Sequence, residues 1–339
     1  MFQDLRSNNN NVLPVSILCL LLVLGFGALA LQTGCNPDAG AVGSRGHNGR
    51  YADGRYTDVD RNSAEAPHIT IGSFNIQTLG KTKMSKPGVV SILIDVARRF
   101  DILAVQELRD IDQGVIPKFL EAINADGAQY AAAVGPRQGY NIAGTRYFEQ
   151  TVFIYDTTKA ELIAPTYAAR NHYDIMHRPP FVGHFQTVGV DPAEAFKFVL
   201  MNVHVDYDDA HVEFEAMQKI IGGIYANHQG EDDFILIGDL NEEPNRFQKY
   251  AWMNDQYAAI PNHWKTNTVQ TENYDNIVFD AARTSEYLQQ SGVLDLMGEY
   301  DLTLAEAKLV SDHLPVWATF SAFEAPSAAI TRGQQDVLR

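Results

Sequence analysis

Short apolar runs alternate along this chain with longer stretches in which apolar residues recur every three or four positions. Residues 69–75 (ITIGSFN) and 102–106 (ILAVQ) are β-rich runs and predict strands. Between them, Val89, Ile92, Leu93, Val96 and Phe100 fall on one face of a helix predicted over 88–100. A second helix is predicted at 114–124, followed by strands at 151–156 (TVFIYD), 181–188 and 197–203 (KFVLMNV). A longer helix over 211–228 places Val212, Ala216, Ile220 and Ile224 at helical spacing, weakened by Gly222-Gly223. The strand at 233–237 (DFILI) ends at Gly238-Asp239, and strands at 276–279 and 315–320 close the body. Strands mixed with helices in this way predict two packed sheets with helices outside.

The ends follow other patterns. Val12 to Leu31 is almost wholly apolar, about the length that crosses ~30 Å of hydrocarbon. Asp4 and Arg6 precede it, and small residues, Thr33-Gly34-Cys35, follow as in a cleavage region. The pattern predicts export. It resembles a lipoprotein signal with a lipidated cysteine, except that Gln32 stands where a leucine is usual; an ordinary secretory peptide and an uncleaved anchor are the other readings. The predicted organisation is an export signal over 1–34, a flexible linker over 35–66, one domain over 67–322 and a tail over 323–339.

Composition narrows the classes. Hydrophobic residues make up 45% of the 339 and charged residues 20%, enough to fill a sizeable core and unlike a disordered, collagenous or polytopic membrane chain. The net charge of −16 gives no chain-wide attraction for phosphate polymers, so binding a nucleic acid requires a local basic rim or a bound metal. Cys19 and Cys35 both lie in the first 35 residues, so the body has neither disulfide nor thiol chemistry.

Seven β-rich runs end in, or run into, a polar cluster: Asn75 after GSF, Glu107 in VQELRD, Glu149 in YFEQTVF, His204 in VLMNVHV, Asp239 and Asn241 in LIGDLN, Asp275 in YDNIVF, and Asp312-His313 in VSDHLPV. Singly, each reads as a turn or a satisfied buried polar group. Together, at one edge of a sheet, they suit phosphodiester cleavage with a divalent ion: carboxylates hold a hard cation, and a carboxylate or histidine handles the proton of attacking water. Thiolate-zinc, HExxH and Walker-type patterns are missing from the sequence.

In this order the residues resemble the endonuclease/exonuclease/phosphatase superfamily and, within it, pancreatic-type deoxyribonuclease I, above all along SFNIQTLGKTKMSKPGVVSILIDVARRFDILAVQELRD, Ser73 to Asp110. The resemblance covers about residues 68–322. It implies an α/β (α+β) four-layer αββα sandwich, two packed and mostly antiparallel sheets flanked by helices. It also implies a DNA endonuclease with little sequence specificity, acting as a monomer; the N-terminal segment predicts that this catalytic part is held at a membrane or secreted. Glu107 becomes the principal ligand of Mg²⁺ or Mn²⁺, with Asn75 and Asp312 close by. His204 with Glu149, and His313 with Asp275, become two histidine–carboxylate dyads. Asp239 positions or deprotonates the water, ahead of His204 in that role, and Asn241 holds phosphate or water. Arg109, Tyr147 and Arg178 contact the DNA backbone.

The chain also departs from that pattern. Gln77 stands where the pancreatic enzymes carry an arginine that touches DNA. Asp174 matches a family Ca²⁺ ligand, whereas the loop Lys265–Thr271 lacks the aspartate of another. Two other readings stay open: a sphingomyelinase-like or other phosphoester hydrolase, and a non-catalytic surface-anchored binding module.

Overall fold

The computed structural model describes residues 66–142, 145–171 and 174–325. The predicted export signal, Cys35, nearly all of the predicted linker and most of the predicted tail lie outside the described residues. No helix among the described residues is long and apolar enough to cross a membrane.

Two seven-stranded sheets form the body. The first runs β13 (Tyr287–Val293), β14 (Val316–Ser321), β1 (His68–Leu79), β2 (Ile102–Leu108), β5 (Thr145–Asp156), β3 (Tyr130–Val134), with β4 (Gln138–Ile142) also paired to β5. The second runs β11 (Tyr257–Ala258), β12 (Asp275–Phe279), β10 (Phe234–Asp239), β9 (Lys197–His204), β8 (Phe181–Thr187), β6 (Ala160–Leu162), with β7 (Tyr167–Ala168) on β8. Among the described residues only β1–β2 and β9–β10 pair in parallel.

The helices are α1 (Lys81–Met84), α2 (Pro87–Arg98), α3 (Val115–Ile123), α4 (Ala210–Asn227), α5 (Leu296–Tyr300) and α6 (Leu304–Val310). Val89, Leu93 and Val96 of α2 and Phe119 of α3 share the main core with the first sheet, and Phe214, Met217 and Ile224 of α4 share a second core with Val199, Met201 and Leu236. These contacts set the layers in the order helices, sheet, sheet, helix, the αββα sandwich.

Strand alternation decides what lies between the sheets. In β9, Phe198 and Leu200 join the inter-sheet core while Val199, Met201 and Val203 face α4. Asn202 shares the parity of the inward residues, accepts from Gln106 Nε2 at 2.8 Å and donates to the carbonyls of Val105 and Val152, tying the two sheets together. Continuing each period by one step reaches His204 in β9, Asp239 beyond Ile235 and Ile237, Asp275 before Ile277 and Phe279, Asn75 beyond Ser73, and Glu149 before Phe153. Five polar residues from five strands therefore end on the same inward face, at one end of the sandwich.

Ile220 and Ile224 of α4 are buried as predicted, but the rest of its buried face differs. Val212 is exposed, and Phe214, Met217, Ile220, Ile221 and Ile224 carry the buried face, because Glu213 is held inward by two backbone amides. Strands β3, β4, β6, β7, β11 and β13 and helices α1, α5 and α6 have no counterpart in the sequence reading. For α6 the signal was present: Thr303 and Glu306 form a capping box.

Candidate active site

Ladder register sets the centre of the site. Asp239 is directly opposite Asp275 across β10–β12 and His204 across β9–β10, so the three are neighbours by backbone pairing alone. Gly238, at φ 144°, lets β10 pass Val203, since a Cβ there would lie 2.0 Å from the Val203 carbonyl oxygen.

Asp239 Oδ2 is the hub. It accepts from Asn75 Nδ2 at 2.9 Å, and His204 Nε2 and His313 Nε2 each lie 3.6 Å away. On its other ring nitrogen, His204 pairs with Glu149 at 2.5 Å, and His313 pairs with Asp275 at 2.9 Å. Two dyads therefore converge on one carboxylate oxygen. Asn241, at φ 47°, donates its backbone N–H to Asp239 Oδ1 and its side-chain amide to the Val205 carbonyl.

Electrostatics follow from burial and pairing. For His313, burial alone would lower the pKa, but the Asp275 and Asp239 charges outweigh it and raise it to about 10. His204 is likewise raised, its desolvation overcome chiefly by Glu149. Glu149 is desolvated too, yet the His204, Arg178 and Arg109 charges hold it below the usual carboxylate value. Asp275 is pushed up by complete burial, against the pull of His313. With Asp239 as a second carboxylate neighbour, the proton of the His313–Asp275 pair belongs on the imidazole.

A second group of oxygens lies beside this hub. The β1–β2 ladder bulges between Asn75 and Leu79, and Gln77, Thr78 and Glu107 take φ of 40°, 58° and 61°. That local strain aims Glu107 inward against strand alternation. Glu107 Oε2 accepts from the Thr78 N–H at 2.9 Å and is 3.2 Å from Arg109, while Oε1 is 3.4 Å from Asn75 Nδ2. Gln77 joins the set: its backbone N–H donates to Asn75 Oδ1, and its Nε2 donates to Asp312 Oδ2 at 2.8 Å. Asp312 Oδ1 and Asp275 Oδ1 are buried without hydrogen-bond partners. An all-oxygen group with an orphaned carboxylate oxygen fits a hard divalent cation. Asn75 Oδ1 already accepts the Gln77 N–H, whereas Glu107 Oε1 has only the long 3.4 Å contact and Asp312 Oδ1 none, so Glu107 and Asp312 offer the freer oxygens.

The three expected DNA-contact residues separate. Arg109 and Tyr147 are exposed at the rim, Tyr147 against Tyr140 with ring centroids 5.2 Å apart. Arg178 is instead buried: its Nε donates to the His204 carbonyl at 2.9 Å and lies 3.7 Å from Glu149, and its Nη2 donates to Asp206. These inward partners make it a support of the His204 dyad rather than a surface contact. Asp174 is exposed, and the His177–Asp206–Asp209 group lies nearby with ligand atoms within 4.8 Å of one another.

Several contributors escaped the sequence reading. Ser311 donates to the Asn75 carbonyl and receives the His313 N–H, and the Thr266 hydroxyl receives the Asp275 N–H. Lys83 is buried between the carbonyls of Ile76 and Val310, its pKa lowered by burial to about 8 despite Asp312 and Glu107. Their signal is tertiary: serine, threonine and lysine at such positions look like surface residues.

The αββα sandwich is the fold of solved members of the endonuclease/exonuclease/phosphatase family, and this chain shares it. Its fold matches a member of that family from Leptotrichia buccalis with a TM-score of 0.52 at 15% identity, covering 76% of this chain and 100% of that one. It matches another from Bacteroides thetaiotaomicron with a TM-score of 0.51 at 14% identity, covering 75% and 98%. In sequence the chain is similar to the deoxyribonuclease-I-like proteins. Human deoxyribonuclease-1-like 2 is 27% identical over 278 residues, 74% of this chain and 91% of that protein; human deoxyribonuclease gamma is 28% identical over 269 residues, 73% and 84%. No family model matches the chain.

Proposed function

We propose that the chain is a divalent-cation-dependent phosphodiesterase that hydrolyses the DNA backbone endonucleolytically, with little sequence preference. The observation that carries this reading is the convergence of two histidine–carboxylate dyads on Asp239 Oδ2. Its raised-pKa histidines act as hydrogen-bond donors toward phosphoryl oxygens, and one returns a proton to the leaving oxygen. Asp239, unable to share a proton with two imidazoliums that already hold theirs, orients the attacking water and takes its proton. This favours Asp239 over His204 as base. Glu107 and Asp312, positioned by Asn75 and Gln77, hold Mg²⁺ or Mn²⁺, which when bound neutralises charge developing on phosphate. Arg109 and Tyr147 meet the backbone of DNA, and Arg178 braces Glu149. The similarity to deoxyribonuclease-I-like proteins supports DNA as substrate. Export, with a tether to the membrane through the N-terminus, rests on the apolar run Val12 to Leu31.

The test is nicking of supercoiled plasmid by the purified chain in Mg²⁺, in EDTA, and by the His313→Ala variant. Open-circle product in Mg²⁺ alone, reduced by a factor of ~10² or more in the variant, is expected. A folded chain that leaves plasmid intact but cleaves sphingomyelin would overturn the DNA assignment. One that cleaves neither would overturn catalysis and leave a binding module.

A further inference from the structure

At the opposite end of the sandwich, roughly 20 Å from Asp239 along the six residues of β10, lies a second polar group that the catalytic reading does not use. Asp233 precedes β10, Glu286 precedes β13, and Glu324 follows β14. One carboxylate oxygen of each lies within 4.8 Å of the other two. Asp233 and Glu286 are 1% and 3% exposed, yet Asp233 Oδ1 and Glu286 Oε2 have no hydrogen-bond partner. The Thr284 hydroxyl is also buried and lies against the Asp233 carboxylate, where it favours the charged form.

The remaining oxygens are held firmly. Glu286 Oε1 accepts the Ala325 N–H at 2.6 Å, Glu324 Oε2 accepts the Lys197 N–H at 3.0 Å, and Glu231 receives the Asp233 N–H while pairing with His184. Glu286 and Glu324 are thus each fixed by one oxygen, and Asp233 by its backbone, leaving carboxylate oxygens to the cluster. Unpaired buried polar atoms destabilise a fold, and more so when charged. The strongest charged neighbours of Asp233 are Glu286, Glu324 and Glu231, all acids. Burial and their repulsion push its pKa up to about 9, so without a counter-charge the group must retain a proton.

We infer that Asp233, Glu286 and Glu324, with the Thr284 hydroxyl, bind one calcium ion at the end of the sandwich remote from the active site. Every donor is a hard oxygen, with no nitrogen or sulfur among them, as a calcium shell requires. Oxygens on opposite sides of a calcium ion stand about 4.6–5.2 Å apart, so the three carboxylates fit one shell. Glu324, the partly exposed member, leaves room for water to complete it. The ion joins the β10 entry, the β13 entry and the segment after β14, in a domain whose sequence has no cysteine to cross-link them. This site is independent of the catalytic proposal and does not stand or fall with it.

The experiment follows thermal melting and calorimetric Ca²⁺ binding in a Glu107→Gln background, which removes a proposed catalytic-ion ligand; Asp312→Asn replaces it if Glu107→Gln fails to fold. Millimolar Ca²⁺ is expected to raise the melting temperature over EDTA by roughly 5 °C or more, with one ion bound per chain. Adding Asp233→Asn or Glu286→Gln should abolish that gain and the binding, while melting in EDTA stays equal to or above that of the parent because the repulsion among the acids is relieved. Asp233→Asn alone should keep Mg²⁺-dependent nicking, which separates failure here from failure of the catalytic reading. No Ca²⁺ response in the parent, or an undiminished response in Asp233→Asn, would overturn the inference.

Discussion

Asp239 has two histidines and an asparagine around one of its oxygens, and at the scale of single residues this explains which substitutions should matter most. Asp239→Asn keeps the size of the group but removes the acceptor of the water's proton, so turnover should fall by ~10²–10⁴ with little loss of folding, as measured by nicking rate and circular dichroism. The His204–Glu149 pair ties stability to pH. The folded pKa of His204 lies above 6.5, so its pairing stabilises fully below that pH and progressively less as pH rises through the folded value. Glu149 is held below 4.5, so its contribution is present above that pH and lost as pH falls through the folded value. In melting scans, the advantage of the wild type over His204→Gln should be largest near pH 5–6, where both partners are charged, and should shrink toward pH 9. An advantage that grows with pH would contradict the dyad. Gln77 replaces a cation of the family pattern with a donor to Asp312, so Gln77→Ala should weaken Mg²⁺ dependence more than DNA binding, read as separate Mg²⁺ and DNA titrations.

At the scale of elements, β10 reaches the site only because glycine precedes its last residue. Gly238→Ala would drive a Cβ into the Val203 carbonyl at a φ that L-residues rarely adopt. It should lose nicking together with several degrees of melting temperature, in contrast to Asp239→Asn. Helix α4 offers a matched pair: Phe214 is fully buried among Phe247, Tyr250 and Trp252, whereas Val212 is exposed. Phe214→Ala should cost about 3–5 kcal/mol in urea denaturation and Val212→Ala within about 0.5 kcal/mol. The helical spacing in the sequence located this helix and the Ile220–Ile224 part of its buried face but not the first turn, because Glu213 reads as a surface residue until the loop amides of His177 and Asp206 are in view. Strand β13 went unseen for a related reason. Its Leu288, Gln289 and Gln290 are exposed at a sheet edge, and only pairing with β14 makes them a strand.

Across the whole molecule, the sandwich delivers an active site by ending five inward-facing strand periods at one level. The same alternation that puts Phe198, Ile235 and Ile277 between the sheets puts His204, Asp239 and Asp275 at their mouth. Local patterns were therefore enough to find the strands, the order of polar strand ends and the kinship they carry, because period and motif are properties of neighbouring residues. Adjacency was not legible in the same way. Gln77 beneath Asp312, Ser311 against the Asn75 carbonyl, the inward turn of Arg178 and the acid group of Asp233, Glu286 and Glu324 join residues tens to hundreds of positions apart. Their chemistry depends on burial and on which partner occupies the next few ångströms. Those quantities exist only once two sheets have closed on each other.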